Sequence, residues 1–186
     1  MMPNFMINKN DSLLLIIDIQ DKLFQAMDSD SQSMVKRNCA ILIKAANEFD
    51  IPVIVTEQYR KGLGETIPEL RNILSNATVF EKIFFDATKE EEIKRAVTGS
   101  AKKTVILTGM ETHICVFQTA LSLLALEYNV VIASDGVSSR RKDDKDSALD
   151  MLKEAGALIY PTETIAFMLL EQAGTPEFKR LSPLFK

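Results

Sequence analysis

Apolar positions along the chain alternate between short, nearly unbroken runs and the three-to-four-residue spacing of a helix face. That alternation is the pattern of βαβ units wrapped around a parallel sheet. Residues 12–19 (SLLLIIDI) have almost no polar interruption, as expected of a central strand covered on both faces. Residues 34–49 carry apolar side chains at 35, 39, 42 and 46, one stripe of a helix. Residues 51–56 (IPVIVT) read as a second strand, with Pro52 confined to its start. The segment 57–64 (EQYRKGLG) is polar and punctuated by glycine, a loop pattern.

A short third strand is expected at 78–80, followed by Thr88 and Glu91 at capping-box spacing and a helix closed by Gly99. The fourth strand spans 104–108 (TVILT). The helix predicted over 114–126 is apolar almost all round, which implies burial in the core or at a subunit contact. Strands at 130–134 and 157–160 enclose a helix over 144–155 ended by Gly156. Thr162 caps a last helix that stops at Gly174, before a tail with Pro176 and Pro183. The sum is an α/β three-layer sandwich with a six-stranded, mainly parallel, doubly wound (Rossmann-like) sheet. No repeat or composition break divides the chain, so residues 1–186 read as a single domain.

Composition narrows the function classes. Hydrophobic residues make up 46% and charged residues 26% of the chain, a globular balance. The net charge of −4 argues against nucleic acid or an acidic membrane surface as partner. No apolar run approaches the ~20 residues of a membrane span, and residues 1–10 lack the pattern of a secretory leader. Cys39 and Cys115 are the only cysteines and sit in unlike contexts, so no disulfide framework is indicated. A reducing, cytoplasmic location is the simplest expectation. A single histidine excludes any metal site that needs two, and no G-x-G-x-x-G, Walker or G-x-S-x-G motif occurs. No metal or cofactor is therefore expected; the expected partners are a small-molecule substrate and further copies of the chain, a dimer or larger.

In a doubly wound sheet the ligand crevice lies beyond the carboxyl ends of the strands, so polar residues just past those ends in apolar surroundings are the candidates. Asp18 ends the first run among Ile16, Ile17 and Ile19. A desolvated carboxylate there can act as a base, or it organises the loop as a cap. Lys82 follows the third strand within FEKIFF; by itself it reads as a side chain snorkelling to water, with pairing to a buried acid the other reading. Cys115 lies in GMETHICV (109–116), at the turn into a helix, where free N–H groups and the helix dipole favour a thiolate and can form an oxyanion hole. A small buried core residue is the alternative; Cys39, in mid-helix among Ala40, Ile41 and Leu42, is of that kind. His113 stands two residues before the thiol and reads as a partly exposed turn histidine rather than a Cys–His partner.

Asp after strand one, Lys after strand three and Cys after strand four, in that order, resembles the isochorismatase-like (cysteine hydrolase) family. The segment 15–20 (LIIDIQ) is similar to that family's D-x-Q strand and GMETHICV to its G-x-x-T-x-x-C-V turn. The segments VTEQY (55–59), KGLG (61–64), PEL (68–70) and VSSR (137–140) look most like the isochorismatase domain-containing branch. The resemblance implies Asp18 as general base, Lys82 as the cation that balances the charges, and Cys115 as nucleophile. It also implies a cis Met110–Glu111 peptide, with the backbone N–H groups of Glu111 and Cys115 forming the oxyanion hole. The metal-using nicotinamidase branch carries histidines after strand two; residues 57–66 contain none, so the expected metal content is none. True isochorismatases share the fold without using the cysteine, which points Cys115 toward C–N bond hydrolysis. Phe85 and Glu111 stand where many members carry small residues and would reshape the pocket. Gln58 and Arg60 are the candidate substrate contacts.

The expected function is a metal-independent cysteine hydrolase that cleaves a small amide or carbamoyl-type substrate through a thioester. A catalytically silent interaction or regulatory module is the alternative, with the Phe84–Phe85 pair and the apolar helix as its supporting features. Redox sensing would need a resolving thiol, which a buried Cys39 does not supply.

Overall fold

The structure, a computed structural model, describes residues 5–186. In chain order its elements are β1 (Ser12–Ile17), α1 (Asp21–Gln25), α2 (Ser29–Glu48), β2 (Val53–Gln58), α3 (Arg60–Leu63), α4 (Pro68–Arg71), β3 (Ala77–Lys82), α5 (Glu91–Gly99), β4 (Thr104–Met110), α6 (Phe117–Ala125), β5 (Asn129–Ser138), α7 (Lys142–Glu154), β6 (Leu158–Tyr160), α8 (Thr162–Leu170) and α9 (Pro176–Leu181). The strands form one sheet in the order β3-β2-β1-β4-β5-β6, with every pairing parallel. The expectation of a mainly parallel sheet therefore resolves to a wholly parallel one.

The unbroken apolar run of β1 follows from its position. All of its residues are buried, and successive side chains serve opposite faces. Leu14 and Ile16 join the core built with Val35, Cys39 and Leu42 of α2 and Ile165 and Leu169 of α8. Leu13, Leu15 and Ile17 join the other core, with Ile93 of α5, Leu123 of α6 and Leu152 of α7. From β1 the chain winds outward to β3, then returns to the opposite side of β1 as β4. The carboxyl ends of β1 and β4 thus flank the point where strand order reverses, where a crevice is expected.

Several boundaries differ from the pattern-based reading. β2 continues through Glu57 and Gln58, and Arg60–Leu63 closes into a helical turn instead of a loop. The reason is the Glu57 carboxylate, which is buried and accepts bonds from Thr66 N (2.7 Å), Thr66 Oγ1 (2.7 Å) and Arg60 Nε (2.5 Å). β5 runs to Ser138 because residues 133–136 bulge out of register between the Leu107 and Gly109 pairings; Thr108 Oγ1 donates to the carbonyl of Gly136 across the bulge. Thr88 does not cap α5: it lies in a 3-10 turn (Ala87–Lys89) capped by Asp86, which accepts from Thr88 N and Thr88 Oγ1, and α5 begins at Glu91 without a side-chain cap. Thr162 is the first residue of α8 rather than its cap, and Asp135 Oδ1 receives its N–H and hydroxyl, each at 2.7 Å. The proline-containing tail folds as α9, capped by Thr175.

No helix among the described residues is long and apolar enough to cross a membrane. Gly109 pairs with Ile17 at φ +130°, and a Cβ there would stand 1.9 Å from the Ile17 carbonyl oxygen. That close approach sets how tightly β4 lies against β1 beside the crevice. Gly109→Ala is expected to destabilise the fold by about 3 kcal/mol or more, read as a lowered midpoint in urea; an unchanged midpoint would show that the two strands can part without cost.

Candidate active site

Three strand ends bring Asp18, Lys82 and Cys115 to one point. Asp18 is the first residue past β1, fully buried, with φ at +51°. Its N–H donates to the carbonyl of Thr56 (3.1 Å), and Thr56 Oγ1 donates to Asp18 Oδ1 (2.7 Å). The short polar side chain tolerates this left-handed backbone, which turns the carboxylate out of the β1 ladder and over the strand ends. Lys82 closes β3 and is 1% exposed. Its Nζ lies 2.7 Å from Asp18 Oδ2 and donates to Gln58 Oε1 (2.7 Å) and, at longer range, to the carbonyls of Phe84 (3.3 Å) and Phe85 (3.4 Å).

Snorkelling to water, the simpler reading of Lys82 from sequence, is therefore overturned. The β2–β3 pairing sets Gln58 opposite Lys82, and the ammonium finds its acceptors inside. A buried ion pair persists only when its remaining donors and lone pairs are met. Lys82 meets this condition. Asp18 Oδ2 does so in part: it faces the ammonium closely, but the contact is not aligned as a hydrogen bond, and the Cys115 thiol also interacts with this carboxylate. This leaves a buried carboxylate oxygen with room to take a proton.

The cysteine turn differs from the simple helix start expected. Residues Thr112–Val116 form one turn of π-helix before α6, with the N–H groups of Ile114 (3.1 Å) and Val116 (3.2 Å) both donating to the carbonyl of Glu111. The Met110–Glu111 peptide is cis. Cys115 is 6% exposed. Burial, reinforced by the Asp18 carboxylate and opposed by the Lys82 ammonium, pushes its thiol up from 9.0 to about 12. A thiolate favoured by a helix dipole is thus not the resting state. Desolvation outweighs the turn's free N–H groups, and the thiol stays neutral beside a carboxylate. Cys39, wholly buried in α2, is likewise pushed up to about 12 by desolvation, with the Thr108 hydroxyl opposing.

The other candidates fall into supporting positions. Gln58, besides accepting from Lys82, donates Nε2 to the carbonyl of Ile83 (2.7 Å). Arg60 holds Glu57. His113 Nδ1 lies 2.9 Å from Ser139 Oγ, with Nε2 3.9 Å from Asp144 Oδ2, so it ties the cysteine turn to the chain after β5 and does not pair with the thiol. Glu111 is buried, and its Oε2 accepts from Arg140 N (2.9 Å) and Arg140 Nε (3.0 Å). Burial pushes that carboxyl upward, but the Arg140 bonds and charge outweigh it and hold it below its ordinary 4.5.

Sequence reading missed Thr56 and Gln20. Gln20 is buried and reciprocally bonded to the Gln58 backbone, donating to its carbonyl (3.0 Å) and accepting from its N–H (2.7 Å), with a further bond to the carbonyl of Gly64. The signal for Gln20 lies in the D-x-Q segment itself, two residues past Asp18. A surface groove of about 790 Å³ lies along α7 and β6, and none of the three converging residues lines it. Among the described residues, no group of three or more His, Cys, Asp or Glu side chains is placed to hold a metal ion.

Known proteins resemble this chain over most of its length. A family model described as the isochorismatase domain matches residues 12–164. Isochorismatase family protein 1A of Dictyostelium discoideum is 38% identical over 186 residues, covering 96% of this chain and 87% of that protein. Among solved structures, one described as the MAR1 ribonuclease of Caenorhabditis elegans is similar with a TM-score of 0.89 at 34% identity, covering 96% of this chain and 91% of the other. The YcaC gene product of Escherichia coli, described as an octameric hydrolase of unknown specificity, has a TM-score of 0.90 at 26% identity, covering 100% and 91%.

Two raised thiols fix the sign of the alkaline response. The unfolded chain releases these protons near the ordinary 9.0, the folded chain only near 12. Stability is fully present below about 9 and should fall as pH rises toward 12, since the unfolded state then binds fewer protons. Thiolate ultraviolet absorbance should be absent from the native protein at neutral pH. A thiolate signal at pH 7 that Cys115→Ala abolishes would contradict the neutral resting thiol.

Proposed function

This chain belongs to the isochorismatase family, and from that premise we propose that it is a metal-independent cysteine hydrolase that cleaves a C–N bond in a small amide or carbamoyl substrate. The observation that carries the reading is the buried Asp18–Lys82 ion pair set beside a thiol that interacts with both of its charges. That arrangement suits acyl transfer. Asp18 removes the Cys115 proton as sulfur adds to the substrate carbonyl; because the thiol is a weak acid here, transfer and addition belong in one step. The developing oxyanion is held by the backbone N–H groups of Glu111 and Cys115. Asp18 returns the proton to the departing nitrogen as the C–N bond breaks, which leaves a thioester. Water, deprotonated by Asp18, then attacks the thioester carbon; the acid leaves and sulfur regains its proton.

Lys82 acts by charge. Its ammonium offsets the negative charge that Asp18 and the sulfur share as the proton moves, and Gln58 fixes the ammonium in turn. The 6% exposure of Cys115 supports a small substrate. The name of the C. elegans relative would suggest RNA, but this chain has a net charge of −4, and the Lys82 ammonium at the site is already paired; a cationic phosphate track is what RNA would need.

Self-association completes the reading. Leu121 and Leu126 are exposed on and just after α6, and Ile83, Phe84 and Phe85 are exposed beside the edge strand β3, whose own Val79 is also exposed. These residues support a homo-oligomer, the state described for the E. coli relative. Sedimentation at micromolar concentration should give a multiple of 20.8 kDa; a species of monomer mass would overturn it.

A screen of small amides, with Cys115→Ala as blank, supplies the substrate for the central test. Asp18→Asn, Lys82→Ala and Cys115→Ala should each lower kcat/KM by about a thousandfold or more, with double variants little worse than single ones, because groups acting as a unit lose function non-additively. A substrate-derived mass on Cys115 should accumulate on rapid quenching. Near-native rates in the Asp18 or Lys82 variants, or effects that simply multiply, would sink the three-residue mechanism.

A further inference from the structure

His113, the one histidine in the chain, belongs to the turn that carries Cys115. Within that turn, Thr112 Oγ1 is buried without a hydrogen-bond partner among the described residues, Ile114 and Val116 are apolar, and Cys115 interacts with Asp18 and Lys82. The imidazole is thus the polar side-chain link between the turn and the far side of the crevice. It reaches two elements. Nδ1 lies 2.9 Å from the hydroxyl of Ser139, which is buried just past β5. Nε2 lies 3.9 Å from Oδ2 of Asp144, in the first turn of α7. The imidazole is 27% exposed and borders, with Phe117 and Ser147, a cleft of about 140 Å³, so water and protons reach it.

These two contacts respond differently to the charge of the ring. A neutral imidazole has one donor and one acceptor, whereas an imidazolium has two donors. A serine hydroxyl can donate or accept, so the Ser139 bond is available in both states. The Asp144 contact is too long for a hydrogen bond and gains weight only when the ring is cationic. Histidine is the side chain that most readily changes charge across the physiological range. The charges that act on the ring are Asp144 and Glu111, with Arg141 Nε 3.6 Å from the same Asp144 oxygen and Arg140 bonded to Glu111. Arg141 is 77% exposed and so is screened by water. Resting on the reading of Cys115 as nucleophile, we propose that His113 is a positioning residue whose protonated form clamps the cysteine turn between Ser139 and Asp144 and holds the thiol at Asp18. The neutral ring keeps Ser139 but lets go of α7. Proton transfer and attack depend on close placement, so Cys115 reacts faster while the ring is charged.

Iodoacetamide labelling of Cys115 tests this without knowledge of the substrate, followed by peptide mass analysis with Cys39 as buried reference. His113→Gln keeps an amide that can bond Ser139 but carries no charge at any pH. The ratio of the unsubstituted rate to the His113→Gln rate, taken from about pH 5 to about pH 8, cancels the rise in thiolate common to both. That ratio should be about three- to fivefold at the acid end, the scale of a partly exposed ion pair, and fall to within about 1.5-fold at the alkaline end. The midpoint of the fall should coincide with the titration of the single imidazole followed by proton NMR. With Asp144→Asn added to both proteins, the ratio should stay within about 1.5-fold throughout. A ratio that ignores pH would make the histidine merely structural; that result, a midpoint elsewhere, or a step that survives Asp144→Asn overturns the proposal. The amides of Ile114 and Val116, both bonded to the carbonyl of Glu111, give a readout independent of the thiol. Their protection from hydrogen exchange should fall through the same midpoint in the unsubstituted protein and show no such step in His113→Gln. A Cys115 that iodoacetamide labels at no pH would instead sink the nucleophile reading, and the amide protection then decides the clamp by itself.

Discussion

The contact between Lys82 Nζ and Asp18 Oδ2, 2.7 Å long with both side chains fully buried, is the constraint around which the carboxyl end of the sheet is arranged. Each charge alone would be intolerable at that depth, and removing either partner of such a pair typically costs about 3–5 kcal/mol. The pair requires neighbours that meet the remaining valences, and they come from β2 and from the chain beyond β3. Thr56 comes from β2, Gln58 from the same strand opposite Lys82, and the carbonyls of Phe84 and Phe85 from the chain just beyond β3. Drawing those carbonyls inward leaves the side chains of Phe84 and Phe85 exposed. The apolar rim next to the site is thus the outer face of the same arrangement that keeps the ammonium satisfied.

A second tier of polar ties holds this tier in place. Gln20 binds the Gln58 backbone, while the Ile67 N–H donates to Ile19 O and the Asp21 N–H to Glu65 O, so the chain after β2 is laid against the chain after β1. Glu57 gathers Arg60 and Thr66 from within that chain. On the other side of the reversal point, Glu111 and His113 bind Arg140 and Ser139. Cys115 sits between these two groups, on a π-helical turn. The turn has carboxylates on both sides, at Asp18 and Glu111, each paired to a cation from a different strand end. A thiol that is neutral at rest and becomes a nucleophile only as its proton moves is consistent with that balance, because a permanent thiolate would add a third negative charge to a dry site.

Much of this was legible in the order of residues. β1 announced itself because a strand buried on both faces needs an unbroken apolar run, and α2 because one stripe at 35, 39, 42 and 46 faces the core. Hydrophobic periodicity is local, so it locates elements and, through strand ends, the candidates Asp18, Lys82 and Cys115. It failed where long-range polar bonds override local pattern. Glu57 and Gln58 looked like loop, yet they extend β2 because Thr66 and Gln20 satisfy them; the residues around Asp135 looked like the end of a strand, yet they bulge and cap α8.

The sequence by itself determined the layer architecture, the buried character of Cys39 and the three positions that could carry chemistry, because these depend on the chain's own apolar spacing and on where its strands stop. Only the tertiary structure decided that Lys82 turns inward instead of to water, that the Cys115 thiol rests protonated, and that His113 serves Ser139 and not the thiol. Those outcomes depend on which distant groups share a dry space. Desolvation and pairing at a few ångströms decide them, and no spacing along the chain encodes that distance.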